Sequence, residues 1–146
     1  MNERLGDIDL GKLITFARKA DVRQACFAGW PSDTLAHWFR WHWKHGSLYA
    51  VCDNEDIVTL GVAWKISLGD LDNHVARYWG PPREKGDCLY ISDLLSTDRR
   101  GLAAAILELG KRVPNWRKLK LYARRHDKMK RMSPEAFEKL CSYKGK

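Results

Sequence analysis

The stretch CLYISDLLSTDRRGLAAAILELGKR, residues 88 to 112, constrains the fold more than any other part of the chain. Up to Leu95 it is apolar, alternating and rich in β-formers, which predicts a strand. After the charged turn STDRR, the run LAAAILELGKRV consists of strong helix formers. A second strand signal, KLKLYAR, follows at 118 to 124. Strand, helix and strand in that order force a crossover, so the two strands pair in parallel and the helix covers one face of their sheet.

The rest of the chain fits around this unit. DIDLGKLITFARKA sets Leu10, Leu13, Ile14 and Ala17 at helical spacing, with Asp7 or Asp9 to cap the first turn. SDTLAHWFRWHWKHG predicts a second helix, capped by Ser32 or Asp33 and stopped by Gly46, with Leu35, Trp38, Phe39 and His42 on one face. SLYAVC and IVTLGVAWKI, joined by the turn-forming DNED, read as an antiparallel hairpin. SLGDLDNHVARYWGPPREKGD is a long connection suited to a lid or a substrate-facing loop. SPEAFEKLCSY closes the chain as a helix, with Ser133 as N-cap and Pro134 at the first helical position. The prediction is one α+β domain over 1–146, with a mixed sheet that ends at KLKLYAR.

Composition bounds the function. At 146 residues, 45% hydrophobic and 30% charged, the chain has the makings of one ordinary core. No apolar run approaches the ~20 residues of a membrane span, and MNERLGDIDLGK is acidic and polar where a secretory signal would be basic and then apolar; a cytoplasmic protein is expected. Cys26, Cys52, Cys88 and Cys141 stand singly, which argues against a zinc ribbon, and each reads as a small buried hydrophobe. His42 and His45 have i, i+3 spacing on one helix but lack an acidic or thiolate partner nearby in sequence, so no metal site is expected. Trp38 and Phe39 of HWFRWHW read as core, with Trp41 or Trp43 partly exposed.

The net charge of +8 is all in the second half. Residues 1–73 sum to −2 and residues 74–146 to +10, and the segment from Lys111 to Arg131 holds ten basic residues and one acidic one. Such a segment attracts polyanions: nucleic acid, a phosphorylated cofactor or an acidic protein. In WRKLKLYARRHDKMKR, the strand should turn Leu119, Leu121 and Ala123 to one side and Lys118, Lys120 and Tyr122 to the other.

The STDRRGLA junction has a chemistry of its own. A helix N-terminus presents unpaired N–H groups and a partial positive charge, and it holds an anion well where the backbone can come close. Here Arg99 and Arg100 precede Gly101, and Leu102 and the small Ala103 follow. An arginine adds a charge-assisted bond to a phosphate. The competing reading has Asp98 or Thr97 capping the helix and both arginines in solvent.

Strand, DRRGLA and Ala/Leu-rich helix together resemble the GNAT superfamily of acyl-CoA-dependent N-acyltransferases over residues 47 to 124. That family's pyrophosphate loop reads Gln or Arg, two residues, Gly, one residue, Gly or Ala. In this chain Gly101 and Ala103 match it, and Asp98 stands at the first position. The chain is similar in particular to the branch that acylates lysines of bacterial toxins. Trp30-Pro31, the Trp of VAWKISL and Gly86-Asp87 before CLYISDLL carry that likeness. Counting from Gly86 brings the branch's catalytic aspartate to Asp93, whereas Phe27 stands where its histidine would be.

The resemblance implies a three-layer α/β/α fold and attack of an amine on the thioester of acetyl-CoA or a longer acyl-CoA. The amine is a small molecule or a protein lysine. It makes Asp93 the base, Tyr122 or Tyr143 the acid, Leu94 and Leu95 the backbone facing the pantetheine, and Arg99 to Ala103 the pyrophosphate cradle. Family members continue with a helix and two strands after the second parallel strand, but only about twenty residues remain here. The expected sheet is therefore truncated, completed by a second copy in a homodimer, or put to a non-catalytic use. The alternative function is a GNAT-like basic module without the chemistry, binding nucleic acid through residues 111–131 or an acidic protein.

Overall fold

The computed structural model describes residues 10–20, 30–66, 87–125 and 128–141. The elements are α1 (Leu10–Ala20), α2 (Ser32–Lys44), β1 (Leu48–Asp53), β2 (Asp56–Ile66), β3 (Cys88–Ser96), α3 (Arg99–Arg112), β4 (Lys120–Arg125), β5 (Lys128–Met132) and α4 (Pro134–Cys141). A 3-10 turn, Trp116–Lys118, leads into β4. Asp7, Asp9, Phe27, Tyr143 and the connection from 67 to 86 lie outside the described residues.

The five strands form one mixed sheet in the order β1-β2-β3-β4-β5. β1, β2 and β3 pair antiparallel, β3 and β4 parallel as the crossover requires, and β4 and β5 antiparallel. The sheet therefore does not end at β4. β5 is KMKRM, a charged segment of low β-propensity whose pairing comes from the hairpin and not from its composition.

Helices cover both faces. Leu13 and Ala17 of α1 and Leu35, Trp38 and Phe39 of α2 pack with Leu48, Leu60, Val62, Trp64 and Tyr90. On the other face Leu109 of α3, Trp116 and Phe137 of α4 pack with Tyr49, Leu89 and Leu121. β1, although at the edge, and β2 are both covered by helices on their two faces, which is why SLYAVC and IVTLGVAWKI read as nearly continuous apolar runs. Truncating any fully buried Leu here, such as Leu60 or Leu89, should cost about 2–5 kcal/mol.

Local chemistry sets the boundaries. α2 starts one residue earlier than the sequence suggests: Pro31, with φ −60° and ψ 150°, is its N-cap, and Leu35 N–H donates to Pro31 O at 3.0 Å. Ser32 and Asp33 thus fall in the first turn, where Asp33 Oδ1 accepts from Thr34 N–H at 2.9 Å. Gly46, at φ +72°, supplies the left-handed residue that ends the helix. The β1–β2 turn consists of Asn54 and Glu55, with Asn54 at φ 59°, a conformation that Asn tolerates. Ser133 caps α4 as expected, its Oγ accepting from Ala136 N–H at 3.0 Å.

No helix among the described residues is long and apolar enough to cross a membrane.

Candidate ligand cleft at the β3–α3 junction

β3 is paired along its whole length with β2, from Ile66↔Cys88 to Thr59↔Ser96. Its parallel pairing with β4 covers only Cys88↔Lys120 to Ile91↔Ala123. Beyond that β3 runs on for five residues, and β4 runs on to Arg125 in register with β5 alone. The β4-side edge of Ser92–Ser96 therefore has no strand partner among the described residues.

The ladder ends where β3 carries a bulge. Val62 pairs with Asp93 and Ala63 with Ile91, so Ser92 is the extra residue. The bulge resets the alternation: Ile91 and Leu94, three apart, both pack toward α3, and Leu95 packs toward α1 and α2. The Ser92 hydroxyl donates to Val62 O at 3.4 Å. Asp93, only 3% exposed, follows directly.

A cavity of ≈ 30 Å³, room for about one water, lies between this part of the sheet and α3. Ile91, Asp93, Leu94, Leu102, Ile106 and Phe137 are among its walls. Apart from Asp93 and Tyr49 the lining is apolar. Gly61 lies opposite Leu94, and a Cβ there would come within 3.2 Å of Leu94 Cδ1.

At the end of β3, hydroxyls tie the strand to the helix. Ser96 Oγ is 2.7 Å from Thr59 Oγ1, accepts from Asp98 N–H at 3.1 Å and lies 2.8 Å from Asp98 O. Asp98 is the N-cap of α3, and its Oδ1 accepts from Arg100 N–H at 2.8 Å. The carboxylate also sits 3.7 Å from the Arg100 guanidinium. The first turn thus already holds one anionic group of its own.

Gly101 is buried against β2. A Cβ at this position would lie 2.1 Å from Thr59 Oγ1 and 3.0 Å from Val58 Cγ2. Consecutive strand residues normally face opposite sides, but a register shift lies here, with Val51↔Thr59 followed by Cys52↔Ile57, and Val58 is the extra residue. Both neighbours can therefore reach the helix. A side chain here would force α3 or Thr59 to shift, so the glycine fits α3 to β2 whatever binds at the helix end.

The other residues singled out in the sequence are distributed as follows. Arg99 and Arg100 are exposed, Leu102 and Ala103 half-buried, and Leu95 buried. Tyr122 is half-buried beside the core of the α1–α2 face, paired with Tyr90 on one side and Arg131 on the other. The structure thus brings Asp93, Leu94 and Leu102 to one cavity and sets Tyr122 on the adjacent strand, next to the last paired position. Trp30, before α2, meets Trp38 edge-on at 5.5 Å, and Trp64 meets Tyr90 edge-on at 5.0 Å.

His42, in α2, and His45, at its C-cap, serve the scaffold. Ser47 Oγ has one proton and donates it to His42 O at 3.1 Å, so the 2.8 Å bond between Oγ and His42 Nδ1 is donated by the ring. His45 Nδ1 bonds Trp41 O at 2.8 Å. Among the described residues no group of three or more His, Cys, Asp or Glu could hold a metal ion. Burial first, then the Asp87 carboxylate, pushes the Cys88 thiol upward, which keeps it protonated and unreactive.

What sequence reasoning missed at this site comes from β2. Thr59 and Val58 define the fit of Gly101, and the signal for them is a bulge, which has no sequence signature in VTLGVAW. No family model, no curated protein and no solved structure matches this chain.

Proposed function

We propose that this chain is a cytoplasmic acyl-CoA-dependent N-acyltransferase of GNAT-like architecture, acting on an amine that is a small molecule or a protein lysine. The observation that carries this reading is the early end of the β3–β4 ladder. Two parallel strands that stop pairing at Ile91↔Ala123 leave backbone N–H and C=O groups of Ser92–Ser96 on an open edge beside an apolar cavity. An extended pantetheine arm, with its two amides, can add to such an edge as a peptide adds to a sheet. The strand leads directly to the start of α3 and to Arg99 and Arg100, which suits the anionic end of the same ligand.

Chemically, the amine nitrogen attacks the thioester carbonyl carbon, a C–N bond forms and the C–S bond breaks. Asp93, at the point where the strands part, accepts the proton lost from nitrogen. The leaving thiolate takes a proton from a tyrosine hydroxyl; Tyr122 packs on the α1–α2 face, away from Leu94 and Leu102, so Tyr143 is the better candidate of the two. The acyl group faces Leu94 and Leu102, whose side chains exclude water from the thioester.

Thermal unfolding with acetyl-CoA and acyl-CoAs of increasing length tests the reading. Saturation at about 100 times Kd should stabilise the fold by about 2.7 kcal/mol. Arg99→Glu with Arg100→Glu should remove most of that shift, and Asp93→Asn should keep binding but lose transfer to an amine. Absence of any shift at millimolar acyl-CoA would overturn the proposal.

A further inference from the structure

Among the described side chains of the basic segment 111–131, some cations are used by the fold and others are left in solvent. Arg112 donates to the carbonyls of Gly46 and Leu48 and pairs with Glu108, and Arg117 pairs with Glu138. No carboxylate among the described residues pairs with Lys118, Lys120 or Arg131. All three are exposed.

These three line one groove of ≈ 450 Å³, where β4 begins and β5 ends, floored by Leu119, Leu121 and Met132. No acidic side chain among the described residues lines it. Asp87 is nearby, but its Oδ1 accepts from Cys88 Sγ at 3.6 Å and its carbonyl accepts from Lys120 N–H at 3.1 Å. Lys120 and Arg131 both act on the Cys88 thiol against the effect of burial, so their charges converge on one place. The groove lies at the Cys88↔Lys120 end of the parallel pair, and the open edge of β3 begins beyond Ile91↔Ala123 at the other end. It is thus separate from the cleft.

Lysines on an edge strand guard against strand addition, and β5 is such an edge. Lys118 and Lys120 are not on it, and edge protection does not account for them. We infer that this groove is a nucleic-acid interface, in which Lys118, Lys120 and Arg131 hold consecutive phosphates of a single strand without reading its sequence. Lysine presents a point charge on a flexible stem, which suits a repeating phosphate. The inference does not depend on the acyltransferase reading.

Fluorescence anisotropy with a labelled 20-nucleotide oligothymidine, measured over a range of salt on the full chain, tests it. Three phosphate contacts to a single strand give a slope of about −2 in log K against log salt, so binding should weaken about 20-fold between 50 and 200 mM. The variant Lys118→Gln/Lys120→Gln/Arg131→Gln should lose that part of the slope. Its unfolding midpoint and its response to acyl-CoA should match the parent's, which separates a failure here from a failure of the acyltransferase reading. An unchanged slope in the variant, no binding at 50 mM salt, or competition by polyglutamate as strong as by the oligonucleotide would each overturn the inference.

Discussion

The Thr59 hydroxyl fills the space that a side chain on Gly101 would need, since a Cβ there would lie 2.1 Å from Thr59 Oγ1. Gly101→Ala must therefore push α3 away from β2 or displace Thr59, whose Cβ at 3.2 Å leaves little room. The variant should lose about 1–3 kcal/mol in urea unfolding. Thr59→Ala should recover part of this loss, with a coupling of about 0.5–3 kcal/mol in the double-mutant cycle. Additive effects would show that the two residues do not compete for one space. Substitution of Gly101 tests helix docking before it tests any ligand, so it is a poor probe of acyl-CoA binding.

Asp98 caps α3, and its carboxylate occupies the Arg100 N–H. Asp98→Asn keeps a good N-cap, so the midpoint of unfolding should change little. It also removes a negative charge from the place a pyrophosphate would approach. One like charge a few Å away costs about 1 kcal/mol in water, so acyl-CoA should bind about fivefold tighter to the variant by calorimetry. Asp98→Ala should instead lose about 1 kcal/mol of stability. Equal affinity of parent and Asp98→Asn would remove α3's first turn from the ligand site.

Arg112 closes the outer edge of the sheet. Its guanidinium donates to Leu48 O at 2.6 Å and Gly46 O at 3.2 Å, bonds Glu108 at 3.0 Å and lies 4.3 Å above the Tyr49 ring. Arg112→Met keeps the stem but leaves the part-buried Leu48 carbonyl without its donor, and should cost about 1–3 kcal/mol. Arg112→Lys cannot span the same partners and should recover only part. Glu108→Gln should cost less than about 1 kcal/mol, as for a partly exposed pair. Urea midpoints that put Glu108→Gln at or beyond Arg112→Met would reverse the assignment and make the ion pair the main contribution.

The parts of the fold legible in the sequence were those fixed by local pattern. The alternation of CLYIS, the helix formers of LAAAILELGK and the SPE start of α4 each specify an element from neighbours in the chain. What escaped was fixed at a distance. β5 pairs because β4 is beside it, although KMKRM has no strand pattern of its own. The bulges at Val58 and Ser92 are decided by how two strands meet, and they determine which residues reach α3 and where the β3 ladder opens. The glycine of DRRGLA read in the sequence as room for an anion at the helix start; that its missing side chain makes room for Thr59 of β2 did not show there. Asp93 could be singled out by its place in CLYISDLL, but its position at the end of the β3–β4 ladder depends on where that pairing stops.

Tyr49 gives the fold a limit on the alkaline side. Burial pushes its hydroxyl up from 10.0 to about 12, and this outweighs the opposing pull of Arg112. A raised pKa means that the folded chain keeps a proton the unfolded chain releases. The contribution is therefore fully present below pH ~10 and is lost as the pH rises toward 12. Across that window stability should fall by up to about 1.4 kcal/mol per pH unit from this group alone. Tyr49→Phe removes the ionisable hydroxyl and keeps the ring under Arg112, so its stability should fall less steeply between pH 10 and 12 than the parent's. Thermal unfolding of both proteins in parallel over that range checks this, and identical slopes would assign the alkaline transition to other groups.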